Sequence, residues 1–288
     1  MFKKIKYVLL AYCQLQYVLH IRKKFVTEFL KSEYNKLFNM VKYHYISAYN
    51  YMFELHVGAK LHISSEKFLE GFFITGNPGQ GKSTTLVQIA LEVIRNKQSG
   101  LLIDPYGDLA KDIFNNLGSS DSKNHAVFTD LDADQKKINS AIKKNKFVIA
   151  AGRFLEEGNR KTVEKGTKLL NLFYKQAKKG QWLIADEAFS FLTDELFEKY
   201  LENKKIGLYT VFSASDFFLL SKEERHRFAK NVKNFIIYKP RHMNAVMMAK
   251  ERKELDPENI KAIKQYHFQL LMDNKISYHQ SVFPIEKI

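Results

Sequence analysis

From about residue 66 onward, short apolar runs alternate with longer stretches whose apolar residues recur at helical spacing. The runs predict strands at 71–75, 100–104, 126–129, 147–151, 182–186, 208–213 and 235–238. They are continuous rather than alternating, as expected of strands buried on both faces. Between them, helices are predicted at 82–96, 108–117, 160–179, 189–203, 223–230, 243–253 and 257–265. Strand–helix alternation of this kind predicts an α/β fold with a mostly parallel sheet covered on both faces. A hairpin of 267–272 with 277–283, turning at Asp273-Asn274, is expected to close the chain.

Upstream the pattern changes. Residues 7–55 carry apolar side chains at helical spacing, among them Leu9, Tyr12, Leu15, Val18, Phe25, Phe29, Leu37 and Val41. Two or three helices are expected there. We divide the chain into a basic, Tyr-rich helical extension over 1–65 and a core over 66–288. Lysines and tyrosines alternate through Lys31, Tyr34, Lys36, Lys42 and Tyr43. Such side chains can stack on bases and meet phosphates, or they can form the solvated face of a packing extension. Both readings stay open.

Lys and Arg number 46 against 31 Asp and Glu, a formal net charge of +15. A field of that sign attracts polyanions, which makes nucleic acid an expected partner. Cys13 is the one cysteine, so no intramolecular disulfide is possible, and a reducing, cytoplasmic setting is expected. The apolar segment 7–21 is interrupted by Gln14, Gln16 and His20 and is too short for a ~30 Å bilayer core. Its flanking lysines leave attachment at the membrane periphery as an alternative. The histidines lack metal-binding spacing, and no zinc is expected.

The sharpest chemical signal follows the first core strand. Gly76-Asn77-Pro78-Gly79-Gln80-Gly81-Lys82-Ser83 sits between a strand and a helix and is followed by Thr84. This is the G-x-x-x-x-G-K-S phosphate loop in its confirming context. Glycines let backbone N–H groups turn toward phosphates, and the helix N-terminus adds its positive end. Lys82 is expected on the β- and γ-phosphates of ATP, the Ser83 hydroxyl on Mg²⁺, and Thr84 on an α-phosphate oxygen. A second acidic element must complete such a site. Trp182-Leu183-Ile184-Ala185 is the apolar strand that runs into Asp186-Glu187. Asp186 is expected to hold Mg²⁺ and Glu187 to act as general base on the attacking water.

Between these motifs lies Leu101-Leu102-Ile103-Asp104-Pro105-Tyr106-Gly107-Asp108-Leu109. It resembles the "IDPxGDL" segment of the HerA/FtsK superfamily of DNA-pumping ATPases. That superfamily includes conjugative coupling proteins, viral genome-packaging ATPases and filamentous-phage assembly ATPases. The resemblance covers roughly 66–288. It implies a RecA-like core, assembly as a homo-oligomeric ring, expected to be a hexamer, and DNA threaded through its centre. It also implies ATP-driven translocation of DNA in genome packaging or conjugation, with a portal, capsid or secretion-channel protein as a further partner and a virion vertex as a further location. The family's in-trans arginine precedes the post-acid strand. Lys204 stands at that place here, with Arg153 as an alternative finger. The family's γ-phosphate-sensing Gln is absent, and Ser213 or Ser215 is expected in its stead. The loop around Gly158–Lys161 and the basic run Lys136–Lys146 are candidates for channel contacts or for solvated helix faces. The competing class is a morphogenesis or secretion ATPase acting on protein.

Overall fold

The computed structural model describes residues 54–58, 61–118, 124–133, 135–153 and 159–281, all within the second of the chain's two compact units, Tyr51–Ile288. The helices expected before residue 54, Gly158 of the candidate channel loop, and residues 282–283 of the closing hairpin lie outside these residues.

β1 (Glu54–Gly58) and β2 (Leu61–Ser64) form a small antiparallel sheet. This differs from the helical extension expected to reach residue 65. Leu55, Val57 and Ile63 are buried in one cluster with Leu86, Ile89 and Val93, so the hairpin is part of the core that surrounds the phosphate loop. A short 3-10 turn, Ser65–Glu70, leads into the main sheet.

The main sheet contains β3 (Phe72–Thr75), β4 (Gly100–Asp104), β5 (Ala126–Asp130), β6 (Phe147–Ala151), β7 (Trp182–Ala185), β8 (Tyr209–Ala214), β9 (Asn234–Tyr238), β10 (His267–Met272) and β11 (Lys275–Gln280). Its spatial order is β11-β10-β9-β3-β8-β7-β4-β6-β5. The seven strands from β9 to β5 pair in parallel, and β10 and β11 add antiparallel at one edge. The mostly parallel sheet is therefore as expected. Asp273 and Asn274 both have positive φ, 53° and 58°, as a two-residue hairpin turn requires. Met272 pairs directly with Lys275, so β11 starts two residues before the expected position.

Helices α1 (Lys82–Arg95), α2 (Asp108–Asn116), α3 (Gln135–Lys143), α4 (Asn159–Tyr174), α5 (Asp194–Lys205), α6 (Lys222–Asn231), α7 (His242–Glu251) and α8 (Pro257–Lys261) cover the sheet. Period-2 side-chain direction divides the core. Phe72 and Ile74 face the cluster built with α1 and α2, whereas Phe73 faces the cluster that holds Leu169, Leu196, Phe228 and Met248. The Phe73 ring meets Phe228 edge-on at 5.1 Å and Phe235 at 5.7 Å. These contacts brace the strand that delivers the phosphate loop.

Two helix boundaries differ from expectation for local reasons, and one helix is additional. α5 starts at Asp194, not 189, because Thr193 Oγ1 accepts from Leu196 N (3.4 Å) as its cap, while Ala188–Ser190 form a 3-10 turn. α4 ends at Tyr174, and the chain turns through Gly180 at φ 82°. α3, absent from the helices placed by periodicity, covers most of the basic run Lys136–Lys146: Ile138, Ala141 and Ile142 are buried, and Lys137 and Lys143 on the helix and Lys144 after it face solvent. Lys136–Lys143 thus belong to an amphipathic helix, and Lys144–Lys146 follow its end. No helix among the described residues is long and apolar enough to cross a membrane.

Candidate nucleotide site

Adjacent parallel strands release their chains at one edge of the sheet, and the predicted motifs meet there. β3 lies between β8 and β9, and β8 lies between β3 and β7, with Thr75 opposite Ala214 and Ala185 opposite Phe212. The phosphate loop leaves β3, Ser215 follows β8, and Asp186-Glu187 follow β7. These carboxyl-end crevices are where open α/β sheets bind ligands.

The loop's shape depends on glycine at two positions. Gly76 has φ 144°, and a Cβ there would lie 2.5 Å from Tyr238 Cβ; Gly81 has φ 116°, and its Cβ would come within 2.9 Å of the Tyr238 ring. Beneath the loop, Tyr238 OH bonds Thr85 Oγ1 (2.5 Å) and Ser281 Oγ (3.0 Å), which ties α1, β9 and the chain after β11 together. Asn77 N donates to Lys239 O (2.9 Å). The side-chain oxygens of Asn77 and Gln80 are buried without a hydrogen-bond partner. Rotating each amide would turn an NH₂ donor toward the same space, which suits an anion.

Lys82 is buried and donates to Gly76 O (2.7 Å) and Ser215 Oγ (3.2 Å). Burial lowers its pKa, and the carboxylates of Glu187, Asp186 and Asp216 oppose that shift. Ser215 in turn donates through Oγ to Glu187 Oε1 (2.6 Å) and through its backbone N–H to Glu187 Oε2 (3.2 Å). Glu187 adopts the left-handed region at φ 45°, a strained setting for a non-glycine residue of the kind found at functional sites. Ser213 donates to Asp186 Oδ1. The structure thus brings together Lys82, Asp186, Glu187, Ser213 and Ser215. Ser83 is exposed at the first turn of α1, its hydroxyl open to a ligand.

Burial pushes the Asp186 carboxyl up to about 6, with the neighbouring charges of Glu187 and Asp104 adding to the effect and the Ser213 bond opposing it. Such an excess of negative potential is what a divalent cation offsets, and the donor set of Ser83 and Asp186 fits Mg²⁺. The raised pKa means the folded state holds a proton that the unfolded state has already lost between about pH 4 and 6. Stability therefore falls as pH rises through that window. Asp186→Asn is expected to stabilise the nucleotide-free protein by roughly 1–2 kcal/mol at pH 8, the remaining solvent access of the residue trimming the effect, and by little at pH 4. Urea denaturation at the two pH values measures this, and equal changes at both would contradict the assignment.

The Asp104–Leu109 segment has a structural explanation. Asp104 is buried, and its carboxylate accepts from Tyr106 N (3.1 Å) and Ala110 N (2.9 Å). It holds the turn that starts α2. Gly152 packs against that turn so closely that a Cβ would lie 2.3 Å from Pro105 O. Tyr106 remains 44% exposed beside the acids, whose charge raises its pKa together with burial, the larger cause.

Lys204 is not brought to this edge. α5 ends where β8 begins, at the opposite edge of the sheet, and Lys204 Nζ donates to Glu70 O (3.0 Å) and Asn231 O, carbonyls that precede β3 and β9. Its ammonium satisfies backbone groups of its own chain, at the sheet edge away from that chain's own phosphate loop. Arg153 lies beyond β4 on the far strands and pairs with Asp130 (3.7 Å). Arg160 is exposed and pairs with Glu164 (3.4 Å) along α4. Sequence reasoning missed Arg241 and Asn244, which flank the site from the start of α7. Nothing in their spacing marks them.

No family model matches the chain, and no curated protein matches it. Solved structures do. The genome packaging NTPase B204 from Sulfolobus turreted icosahedral virus 2, in complex with AMPPCP, is 20% identical with a TM-score of 0.51, covering 74% of this chain and 97% of that one. B204, the DNA-packaging ATPase from Sulfolobus turreted icosahedral virus, is 22% identical at a TM-score of 0.50 over 74% and 97%. The plasmid coupling protein TrwB, in complex with the GTP analogue GDPNP, is 9% identical at a TM-score of 0.60 over 80% and 89%. A viral packaging NTPase and a coupling protein are two of the kinds of protein that the HerA/FtsK resemblance implies. At these identities the likeness establishes architecture, and the chain has the RecA-like P-loop NTPase fold, a mostly parallel sheet flanked by helices, that B204 and TrwB share.

Proposed function

We propose that this chain hydrolyses ATP and uses the energy to move DNA, in viral genome packaging or conjugative transfer. The observation that carries the proposal is the chain of contacts from Lys82 through Ser215 to Glu187, set across three neighbouring strand ends. The neighbours' packaging and coupling roles favour DNA as cargo, and the net charge of +15 favours a polyanion.

In this reading the N–H groups of residues 76–83 and Lys82 hold the phosphates, and Thr84 contacts the α-phosphate. Mg²⁺, when bound, neutralises charge on the β- and γ-oxygens. Ser83 and Asp186 would hold it. Glu187 accepts a proton from water as the water oxygen attacks the γ-phosphorus, and the bond to the β–γ bridging oxygen breaks. Ser215, which bonds both Lys82 and Glu187, stands where a γ-phosphate would intervene, and it serves as the sensor. Ser213 orients Asp186. A homo-oligomeric ring, a hexamer, would place such a site at each subunit boundary, at a virion vertex or a membrane-associated channel with a portal or channel protein.

ATP turnover measured with and without single- and double-stranded DNA tests the cargo. DNA is expected to raise the rate at least severalfold, with the gain shrinking between about 50 and 200 mM salt as counterion release weakens DNA binding. Steady turnover indifferent to both DNA forms would instead favour a protein-moving ATPase.

A further inference from the structure

The turn after β8 carries polar groups to which the reading above gives no role. Asn244, in the first turn of α7, is fully buried. Its amide nitrogen donates to Ser215 O (3.0 Å) and to Asp216 Oδ1 (3.1 Å), and its oxygen accepts from Phe218 N (3.2 Å). A buried amide whose hydrogen bonds all go to one turn fixes that turn. It therefore fixes Ser215, which touches both Lys82 and Glu187. The other oxygen of Asp216 faces Arg241 Nη1 at 3.6 Å. Arg241 is the residue just before α7. Two residues upstream, Lys239 O accepts from Asn77 N of the phosphate loop (2.9 Å).

Arg241 is thus anchored on both sides, to the phosphate loop through Lys239 and to the Ser215 turn through Asn244. Its side chain is 59% exposed, and its ion pair is longer than a hydrogen bond. Its N–H donors remain available to a ligand. The charges at this corner call for one. Asp186, Glu187 and Asp216 all act on Lys82, and a terminal phosphate would add further negative charge beside Asp216. A guanidinium is the side chain that meets phosphate oxygens with paired, charge-assisted bonds.

We propose that Arg241 contacts the γ-phosphate of nucleotide bound to its own chain, and that Asp216 holds it beside the site when that phosphate is absent. The inference rests on the nucleotide-site reading above. It gives Arg241 a specific job, discrimination of triphosphate from diphosphate, with Asn244 as a positioning residue.

Calorimetric titration of the full chain with Mg·AMPPCP and with Mg·ADP tests it. Arg241→Ala is expected to weaken AMPPCP binding by about 10- to 100-fold, the range for a charged hydrogen bond, and to leave ADP within about twofold. Arg241→Lys should fall between, as a point charge without the planar fork. The site is exposed, so folding is not at stake. An unchanged AMPPCP-to-ADP ratio in Arg241→Ala, or equal losses for both nucleotides, overturns the inference while leaving the nucleotide site standing. Failure of the unaltered protein to bind either nucleotide overturns both. Mixing Arg241→Ala with Lys82→Ala chains should leave AMPPCP binding as weak as in Arg241→Ala alone. Recovery would move the contact to a neighbouring subunit and overturn the same-chain assignment.

Discussion

Glu187→Gln is expected to lower ATP turnover by about 10²- to 10⁴-fold, the usual contribution of a positioned general base, while nucleotide affinity stays within about twofold. The amide keeps the size of the carboxylate, and its oxygen can still accept from the Ser215 hydroxyl, now 2.6 Å from Glu187 Oε1, although its NH₂ can no longer accept from Ser215 N, now 3.2 Å from Oε2. It cannot take a proton from water at neutral pH. The left-handed backbone at φ 45° is no worse for Gln than for Glu, so the thermal cost should be confined to the one lost bond from Ser215 N, about 1 kcal/mol. Binding of a fluorescent ATP analogue beside a phosphate-release assay separates the two effects. Turnover at the unaltered rate would move the base to another residue, and Asp186 would be the first to test.

Lys82→Ala is expected to cost both binding and turnover. Its ammonium is buried and donates to Gly76 O, Asn77 O and Ser215 Oγ. With nucleotide bound, its charge would face the β- and γ-phosphates. Losing charge-assisted bonds to a phosphate corresponds to roughly 10- to 100-fold in affinity, and turnover should drop below detection. The truncation also removes a desolvated charge, since burial is what lowers the Lys82 pKa. The nucleotide-free protein should therefore lose little stability. Titration calorimetry with Mg·ATP and a thermal melt give the two readings. Tight binding in the variant would mean that the loop amides alone carry the phosphates.

The contrast between Lys82 and Lys204 shows how far the sequence could be read. Lys82 follows a glycine loop between an apolar strand and a periodic helix. The local chain alone places its ammonium, because the loop closes over a few residues. The same holds for Asp186-Glu187 at a strand tip and for the hairpin turn at Asp273-Asn274, where short polar side chains tolerate positive φ. Strand positions were legible for a related reason. Strands such as β3, β4 and β7 are buried throughout and read as unbroken apolar runs. The hairpin at 54–64 was not legible as strand. Its Leu55, Val57 and Ile63 acquire their meaning only against α1, a contact with a segment more than twenty residues away.

By itself, then, the sequence determined the α/β class, the phosphate loop, the acidic strand tip and the likeness to DNA-pumping ATPases. Each of these is a short-range pattern whose geometry the backbone enforces locally. Tertiary structure alone decided which edge of the sheet each charged side chain reaches. Strand order put β8 between β3 and β7, so Ser215 could join Lys82 to Glu187. The same order left Lys204 capping carbonyls at the opposite edge and brought Arg241 and Asn244, at the start of α7, to the corner where Ser215 meets Lys82 and Glu187. Hydrogen bonds between residues separated by 28 to 133 positions depend on how strands are shuffled in space, and local periodicity carries no record of that shuffling.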